Sequence, residues 1–202
     1  CGDDIGYDGY DYATVQIGDQ CWFAENLRND HYANDDAIPG ELSDSEWSST
    51  TEGAQAVYNN DESNLADYGR LYNWYAVDDS RGLCPSGWHI PTDGEFMTLE
   101  IELGMSESEA NDTGWRGTDQ GTQMKSSPSD DPSWDGTNTS GFSGLAVGWR
   151  SHSGLYGYEG TAEDFWSASA FGAGGWYRVL GNANGVDRNS YFQRGGFSVR
   201  CV

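Results

Sequence analysis

Basic residues are scarce in this sequence, and lysine is nearly absent. Of the 202 residues only 10 are Lys or Arg, against 33 Asp or Glu, and Lys125 is the single lysine. The net charge of −23 repels nucleic acid phosphates and anionic lipid surfaces, so we expect neither as a partner. No run of about 18 apolar residues occurs, so we also expect no direct insertion into a membrane.

Catalytic signatures are missing as well. The three histidines, His31, His89 and His152, are scattered, and neither a G-x-S-x-G nor an H-E-x-x-H pattern is present. Adjacent carboxylates such as Glu163 and Asp164 are weak indications of acid–base chemistry. We therefore expect that the chain is not an enzyme.

Four cysteines are present, and no two have the C-x-x-C spacing of a zinc site. An even number of cysteines in an acidic, lysine-poor chain indicates two disulfides and an oxidising, extracellular compartment. Three pairings are possible. We favour Cys1–Cys21, which closes a local hairpin, and Cys84–Cys201, which joins the middle of the chain to its end. Lipidation is the alternative for Cys1, because mature lipoproteins begin with cysteine.

Charge and glycine divide the chain into two unequal parts. Residues 1–135 contain 29 acidic and 5 basic residues, whereas residues 136–202 contain 4 acidic and 5 basic ones and 14 of the 28 glycines. Aromatic residues form 14% of the chain, enough to build a substantial core. The charge-poor part is typical of tightly turned β-structure, and it is either the centre of the core or a binding face.

Turn and strand signals predict a single α+β module over residues 1–202. Residues 1–28 form an N-terminal hairpin, residues 29–140 an acidic, loop-rich part, and residues 141–202 a set of glycine- and aromatic-rich strands. Short strands are expected at 56–58, 141–147, 165–169, 176–180 and 197–202, with 70–77 either strand or helix.

One helix has clear boundary signals, near residues 92–103. Thr92 and Glu95 have the spacing of a capping box, and Gly104 supplies a stop. We expect one or two helices on a small, twisted antiparallel sheet with long loops.

Five segments carry a family resemblance over nearly the whole chain, in order. Together they resemble the Fibrobacter succinogenes major paralogous domain family. The segments are VQIGDQCWFAENLR (15–28), YGRLYNWYAV (68–77), LCPSGWHIPTD (83–93), RNSY (188–191) and GFSVRCV (196–202).

The resemblance implies a C-type-lectin-like fold, close to the formylglycine-generating-enzyme-like folds. It also implies display in secreted bacterial proteins and large surface adhesins, beside other domains of such proteins. Related modules bind peptide or glycan ligands with calcium. The partner implied is a peptide C-terminus or a surface glycan on another cell or protein.

Candidate ligand-binding residues lie in the last third of the chain. Aromatic rings stack on sugars and peptide side chains, and an arginine fork pairs with a carboxylate. Strand alternation places Trp176 and Tyr177 on opposite faces, and Tyr158 is a further aromatic of this kind. The candidates are Trp149, Arg150, Tyr156, Trp176, Tyr177 and Arg178.

Calcium is the predicted cofactor, because Asp outnumbers Glu by 21 to 12 and Asx-rich turns supply oxygen ligands. Three segments qualify, around residues 59–67, 130–138 and 182–189, although none has EF-hand spacing. An ordinary Asx-rich turn is the alternative for each. The candidate ligands are Asn60, Asp61, Asp135, Asn182, Asn184 and Asp187.

The leading hypothesis is an extracellular adhesion module that captures a peptide or glycan with the help of calcium. A non-catalytic structural or interaction module of a surface protein or filament is the alternative. An enzyme of the formylglycine-generating type is the third hypothesis. It requires a reactive thiol, which two disulfides would remove.

Overall fold

A computed structural model of the chain describes residues 1–202. It is an α+β structure with many short elements. The strands are β1 (Ile5–Tyr7), β2 (Tyr10–Tyr12), β3 (Thr14–Ile17), β4 (Gln20–Phe23), β5 (Gln55–Ala56), β6 (Leu71–Asn73), β7 (Gly114–Arg116), β8 (Trp149–Arg150), β9 (Tyr156–Gly157), β10 (Glu163–Phe171), β11 (Gly174–Leu180), β12 (Val186–Phe192) and β13 (Gly196–Ser198). The helices are α1 (Asp44–Ser49), α2 (Leu65–Tyr68), α3 (Trp74–Val77), α4 (Asp93–Glu102), α5 (Glu107–Asn111) and α6 (Gln120–Met124).

Nine strands form the main sheet, and seven of them follow the order β5-β6-β13-β10-β11-β12-β7. The short β8 pairs with β13 and carries β9 beside it. All neighbours are antiparallel except β10 and β13. The pairs β1–β2 and β3–β4 form separate hairpins, and the second confirms the predicted N-terminal turn. Gly18 occupies that turn with a positive φ of 58°, a conformation that favours glycine.

Helix α4 follows its predicted boundaries closely. Thr92 is the N-cap, Glu95 completes the capping box, and the chain leaves the helix at Leu103. Phe96 and Leu99 are buried on the side of α4 that faces the sheet. They pack in a core with Trp22, Phe142, Phe165, Leu180 and Val186, among others.

The structure has six α-helices rather than the one or two expected, and three of the short ones, α1, α3 and α5, begin at a side-chain cap. Ser43 with Glu46 and Ser106 with Glu109 make the same reciprocal capping box as the one before α4. These two helices have 6 and 5 residues. None of the helices has the length and apolar character needed to cross a membrane.

Three strand predictions need correction. Of residues 56–58 only Ala56 belongs to a strand, and of residues 197–202 only Phe197 and Ser198 do. Residues 141–147 form no strand, because side chains bind that backbone instead: Arg200 donates to the carbonyl oxygens of Phe142 and Ser143. The segment 70–77, for which strand and helix were both open, contains one of each: β6 is followed by α3, because the Asn73 side chain accepts from the Ala76 amide and begins a helix. Strand β12 begins at Val186 and so includes the second half of the segment 182–189, for which the sequence favours an Asx-rich loop.

Both predicted disulfides are present, Cys1–Cys21 and Cys84–Cys201, with sequence separations of 20 and 117 residues. No cysteine is free. Cys84 and Cys201 lie in the larger core, which also contains Tyr72, Trp166 and Phe197. The second disulfide therefore fixes the end of the chain to the centre of the fold.

Strands β10, β11 and β12 present two different faces. Arg178 and Arg188 pair across β11 and β12 and contact α4, so we call their side the helix face. The alternate residues, Tyr177 and Asp187 among them, point the other way, to what we call the open face. Part of the open face packs on the larger core through Trp166 and Tyr177, and the remainder lines a cleft.

Candidate ligand-binding cleft

A cleft of about 530 Å³ lies on the open face near strand β7. Its floor follows one row of residues across four strands. Asp164 pairs with Val179, Val179 pairs with Asp187, and Asp187 pairs with Trp115. Residues paired in this way project from the same face, so the row brings two acids and a tryptophan to one surface.

The walls of the cleft are aromatic. Trp149 and Tyr158 stack with ring centroids 5.7 Å apart and an interplanar angle of 21°. Tyr177, Tyr191 and Phe197 complete the apolar lining and contact one another edge-on or tilted. Rings arranged in this way offer flat, polarisable surfaces to a ligand.

Tyr158 is the most exposed of these rings, with 62% of its surface accessible. Its φ is +66°, in the left-handed region that is uncommon for residues other than glycine and costs about 1–2 kcal/mol. The backbone around it holds this conformation, because its carbonyl oxygen accepts from the amides of Thr161 and Ala162. Non-glycine residues held in such backbone conformations are enriched at active sites and ligand-binding segments.

Asp164 is the only charged residue that lines the cleft. It is 6% exposed, and its carboxylate takes part in no hydrogen bond or ion pair with the protein. Burial, together with the nearby charges of Glu163 and Asp187, raises the pKa of Asp164 well above its ordinary value. A buried carboxylate without a partner is costly, so this group is available to a ligand.

Asp187 adds a second unsatisfied acid beside the cleft. Its Oδ1 atom is buried and has no hydrogen-bond partner. Burial raises the pKa of Asp187, although the charges of Arg116 and Arg178 act in the opposite direction. The open face therefore has two carboxylates in one row and no basic residue to neutralise them.

The helix face is the reverse, because each of its charges has a partner. Glu100 of α4 is fully buried and accepts from Arg116 Nη1 at 2.8 Å and from Arg178 Nε at 2.6 Å. Asp93 accepts from Arg178 Nη1 and Arg188 Nη2, both at 2.7 Å. Burial raises the pKa of Asp93, but the hydrogen bond from Arg188 and the charge of Arg178 outweigh it and hold that pKa below its ordinary value.

Comparison with known families identifies the chain. The sequence model of the Fibrobacter succinogenes major domain matches residues 15–202. The chain belongs to this family. No curated protein and no solved structure gives a significant match.

In this Fibrobacter succinogenes major domain, the segments that carry the resemblance mainly build the interior. Trp22, Tyr72 and Trp74 from these segments are buried in the two cores. Tyr191 and Phe197 are the cleft residues that they supply. The other cleft residues lie outside those segments; they include Trp149, Tyr158, Asp164 and Tyr177.

The cleft brings together two of the six predicted ligand-binding residues, Trp149 and Tyr177. Trp176 and Tyr177 do project from opposite faces, as alternation predicted. On the helix face Trp176 lies under the Arg188 guanidinium, 4.0 Å from the ring centroid. Arg178 is fully buried and held by Asp93 and Glu100, so it has no free fork for a ligand.

Arg150 and Tyr156 lie away from the cleft and serve the interior. Arg150 is fully buried between the rings of Trp47 and Tyr156, and it donates to the carbonyl oxygens of Leu42 and Gly154. The Tyr156 hydroxyl donates to Asn60 Oδ1 at 2.7 Å. Both candidates are therefore bound internally.

The six predicted calcium ligands do not converge into a coordination sphere. Asp61 caps the amide of Ser63, and Asp135 pairs with Lys125 Nζ at 2.8 Å. Asn60 is engaged by Tyr156, while Asn182 lines the cleft. Asn184 lies in the β11–β12 loop, and Asp187 belongs to β12. As placed, these residues do not fit a calcium site with six to eight oxygens.

A different trio has its ligand atoms within 4.8 Å of one another: Asp8, Asp30 and His31. Asp8 is exposed, and the other two are half-buried. His31 Nδ1 already pairs with Asp30 at 2.5 Å. The trio is a surface group that the chain itself partly satisfies.

Sequence reasoning did not select Asp164 as a binding residue, although it is the central polar group of the cleft. Its local signal was weak, because it stands beside Glu163, and the two point to opposite faces of β10. Glu163 is fully paired: it accepts from Asn26, Ser198 and the Leu145 amide. Burial raises the pKa of Glu163 to about 7, although the charge of Arg200 and these hydrogen bonds lower it. Only sheet pairing distinguishes the satisfied acid from the unsatisfied one.

Proposed function

We propose that the chain is an extracellular binding module that captures its ligand in the aromatic cleft. The observation that carries this proposal is the buried Asp164 carboxylate, which has no partner at the floor of a cleft with aromatic walls. A folded protein gains stability by pairing or removing such a group. A ligand that carries a hydrogen-bond donor or a positive charge would pair with the Asp164 carboxylate and remove this cost.

Two disulfides and the lack of a membrane-spanning helix are consistent with an extracellular or secreted protein. A position on the bacterial cell surface, beside other domains of an adhesin, is part of the proposal. So is the C-type-lectin-like placement of the fold, which the long Cys84–Cys201 connection and the mixed sheet next to α4 support. In this proposal the ligand is a peptide or a glycan of another cell or protein.

A second candidate is a structural module that associates through an apolar surface. Phe171 and Phe192 are 51% and 61% exposed. They end β10 and β12, on either side of Gly174 of β11, and line one shallow apolar patch. This patch contains no unsatisfied polar group, so it supports association rather than selective capture. The all-disulfide state of the cysteines leaves no free thiol for the formylglycine-generating type of reaction.

The experiment that separates the two candidates is a binding screen on peptide and glycan arrays. Wild type is compared with Tyr158→Ala in the cleft and with Phe192→Ala in the patch. A binding module loses array binding with Tyr158→Ala and keeps it with Phe192→Ala. Loss only with Phe192→Ala, or array binding unaffected by Tyr158→Ala, contradicts capture in the cleft.

Calcium assistance remains part of the proposal as a separate arm of the same screen. Arrays run with excess calcium and with a chelator report directly on a bridging ion. A structural ion would instead stabilise the folded state and raise the unfolding temperature. With free calcium at a hundredfold excess over Kd, the free energy of unfolding would increase by about 2.7 kcal/mol. Equal binding and equal melting in the two buffers would remove calcium from the proposal.

A further inference from the structure

We infer that the cleft binds an alkylammonium group, as carried by a lysine side chain of a partner protein, with Asp164 as its counter-ion and the aromatic rings as its walls. This inference rests on the proposed function, because it names the ligand chemistry of the same cleft. It is carried by three observations: an unpaired buried carboxylate, uncovered aromatic rings, and the absence of basic residues from the lining.

The carboxylate requires a cation or a set of donors from outside the chain. Only 6% of the Asp164 surface is exposed. Neither a hydrogen-bond donor nor a basic side chain of the protein contacts its carboxylate oxygens. The arginines of β11 and β12 project from the helix face, where Asp93 and Glu100 hold them. The protein therefore pairs its buried acids with arginines on the helix face but not on the open face. A cationic ligand would supply the missing positive charge on the open face.

Nine of the 28 aromatic rings of the chain have a basic side chain over them, and none of the nine lines the cleft. Seven of the ten basic residues lie over an aromatic ring. None of these cations is over a cleft ring such as Trp149, Tyr158 or Tyr177. A cation near the face of Trp or Tyr is attracted by the ring quadrupole. The cleft therefore offers uncovered cation–π surfaces beside its counter-ion.

An ammonium group fits this site better than a guanidinium group. A guanidinium presents five N–H donors in a plane and needs several acceptors, whereas an ammonium is compact and has three. The single charged acceptor of the lining is Asp164, and apolar rings surround it. A thin apolar stem that ends in a compact charge matches these walls.

Charge at longer range favours the same ligand. The net charge of −23 attracts cations and accelerates their approach at low ionic strength. An anionic ligand would be repelled by the chain as a whole and by Asp164 in particular. A neutral sugar would gain stacking but leave the carboxylate without a counter-charge.

Binding of the cation is coupled to loss of a proton. The groups that face Asp164 are Asp187 and Tyr191 from β12 and Tyr177 from β11, with Glu163 adjacent on its own strand. None of them is basic, and burial raises the pKa of Asp164. Because the cation pairs with the ionised carboxylate, affinity is expected to rise as pH increases toward that pKa and then level off.

An NMR titration of the full oxidised chain tests the inference, read at the indole signals of Trp115 and Trp149. The probes are blocked lysine, its trimethylated form, blocked norleucine, blocked arginine and methyl glucoside. Norleucine supplies the stem without the charge. We expect both lysine probes to bind at least about tenfold more tightly than norleucine, and affinity to increase with pH.

Three variants complete the test. Asp164→Asn keeps the shape and removes the charge, and it should weaken lysine binding about tenfold or more. Asp78→Asn makes the same charge change at an exposed residue of another surface and should leave binding unchanged. Tyr158→Ala removes a ring from the wall and should bind lysine several-fold more weakly.

The results separate failure of the inference from failure of the proposed function. Equal binding of norleucine and lysine, or lysine binding unaffected by Asp164→Asn, overturns the inference. Tighter binding of arginine than lysine overturns the choice of ammonium, and binding of methyl glucoside alone overturns the cation while the cleft remains a binding site. No binding of any probe, together with no Tyr158-dependent ligand on the arrays, overturns both.

Discussion

The two faces of strands β10–β12 differ in how their buried acidic side chains are paired. On the helix face two acids, Asp93 and Glu100, are matched by three arginines at 2.6–2.8 Å. On the open face two acids, Asp164 and Asp187, share a row with a valine and a tryptophan and meet no base. One set of charges has been satisfied by folding, and the other has not.

The difference distinguishes buried charges that stabilise the fold from buried charges that are free to bind a ligand. Buried charges that hold one another fix how α4 docks on the sheet, but they have no capacity left for a ligand. Unsatisfied charges reduce stability and are retained where another molecule completes them. Burial alone does not distinguish the two cases, since Asp93 and Asp164 are 7% and 6% exposed.

The sharpest test of this comparison is the same isosteric change on each face. Glu100→Gln leaves Arg116 buried without a counter-charge and Arg178 with Asp93 alone, and it should lower the free energy of unfolding by about 3–5 kcal/mol. Asp164→Asn removes a charge that has no partner and should leave stability unchanged or higher. Denaturant unfolding with the disulfides intact measures both. Comparable losses in the two variants would show that Asp164 is paired after all.

Acid should act most strongly on the helix face. The folded-state pKa of Asp93 lies below its ordinary value, so its contribution is present above the unfolded pKa of about 3.9 and is lost as pH falls. Asp93→Asn should cost about 2 kcal/mol at neutral pH, and the difference from wild type should shrink below about pH 4. Thermal unfolding across pH 3–7 measures this. A constant difference would contradict an ionised Asp93.

The open face should have the opposite pH dependence. The folded-state pKa of Asp164 is raised, so the folded state holds its proton longer than the unfolded chain does. Stability from this group therefore decreases as pH rises above about 4, by at most about 1.4 kcal/mol per pH unit, until the folded pKa is passed. Asp164→Asn removes this decrease.

Glu163 also has a raised pKa and weakens the fold over an overlapping range, so the measured quantity is the difference between the wild-type and Asp164→Asn curves. Glu163 is present in both proteins and cancels to first order. A difference that grows with pH supports an unpaired Asp164. A flat difference from pH 4 to 8 contradicts it.

The smallest effect concerns the strained ring at the rim. Tyr158→Gly relieves a left-handed φ but loses the stacking on Trp149, so stability should stay within about 1 kcal/mol of wild type. Tyr158→Ala loses the ring and keeps the strain, and it should be less stable than the glycine variant by about 1 kcal/mol. Thermal unfolding ranks the two. Equal stability would mean that the backbone relaxes once the ring is removed.

Local signals in the sequence predicted local structure well. The Thr92–Glu95 capping box located α4, and the turn at Gly18 located the β3–β4 hairpin. The same capping signal at Ser43 and Ser106 marks α1 and α5, although the polar residues around both helices favour a loop. The disulfide pairing was also predicted, since one pair is local and the other follows from it.

The cleft was harder to predict because its residues meet only through strand pairing. Asp164 and Asp187 belong to strands two places apart in the sheet, and nothing near either residue in the sequence indicates the other. Arg178 was expected to bind a ligand carboxylate, yet its carboxylate partner Glu100 is internal and 78 residues away. The polar sequence of β12 favours a loop, yet the segment forms a strand in which Arg188 is buried and pairs with Asp93.

The two disulfides also define how this domain would carry a mechanical load. A pull on the first and last residues passes through Cys1–Cys21 and Cys84–Cys201, so the covalent path between the ends runs only along residues 21–84. Those residues could extend by about 200 Å at most, while residues 85–200 lie in a closed loop outside the line of force. The whole cleft belongs to that loop. Tension along the chain would therefore reach the cleft only through its packing on the stretched segment, and no bond of the cleft's own backbone would bear the load.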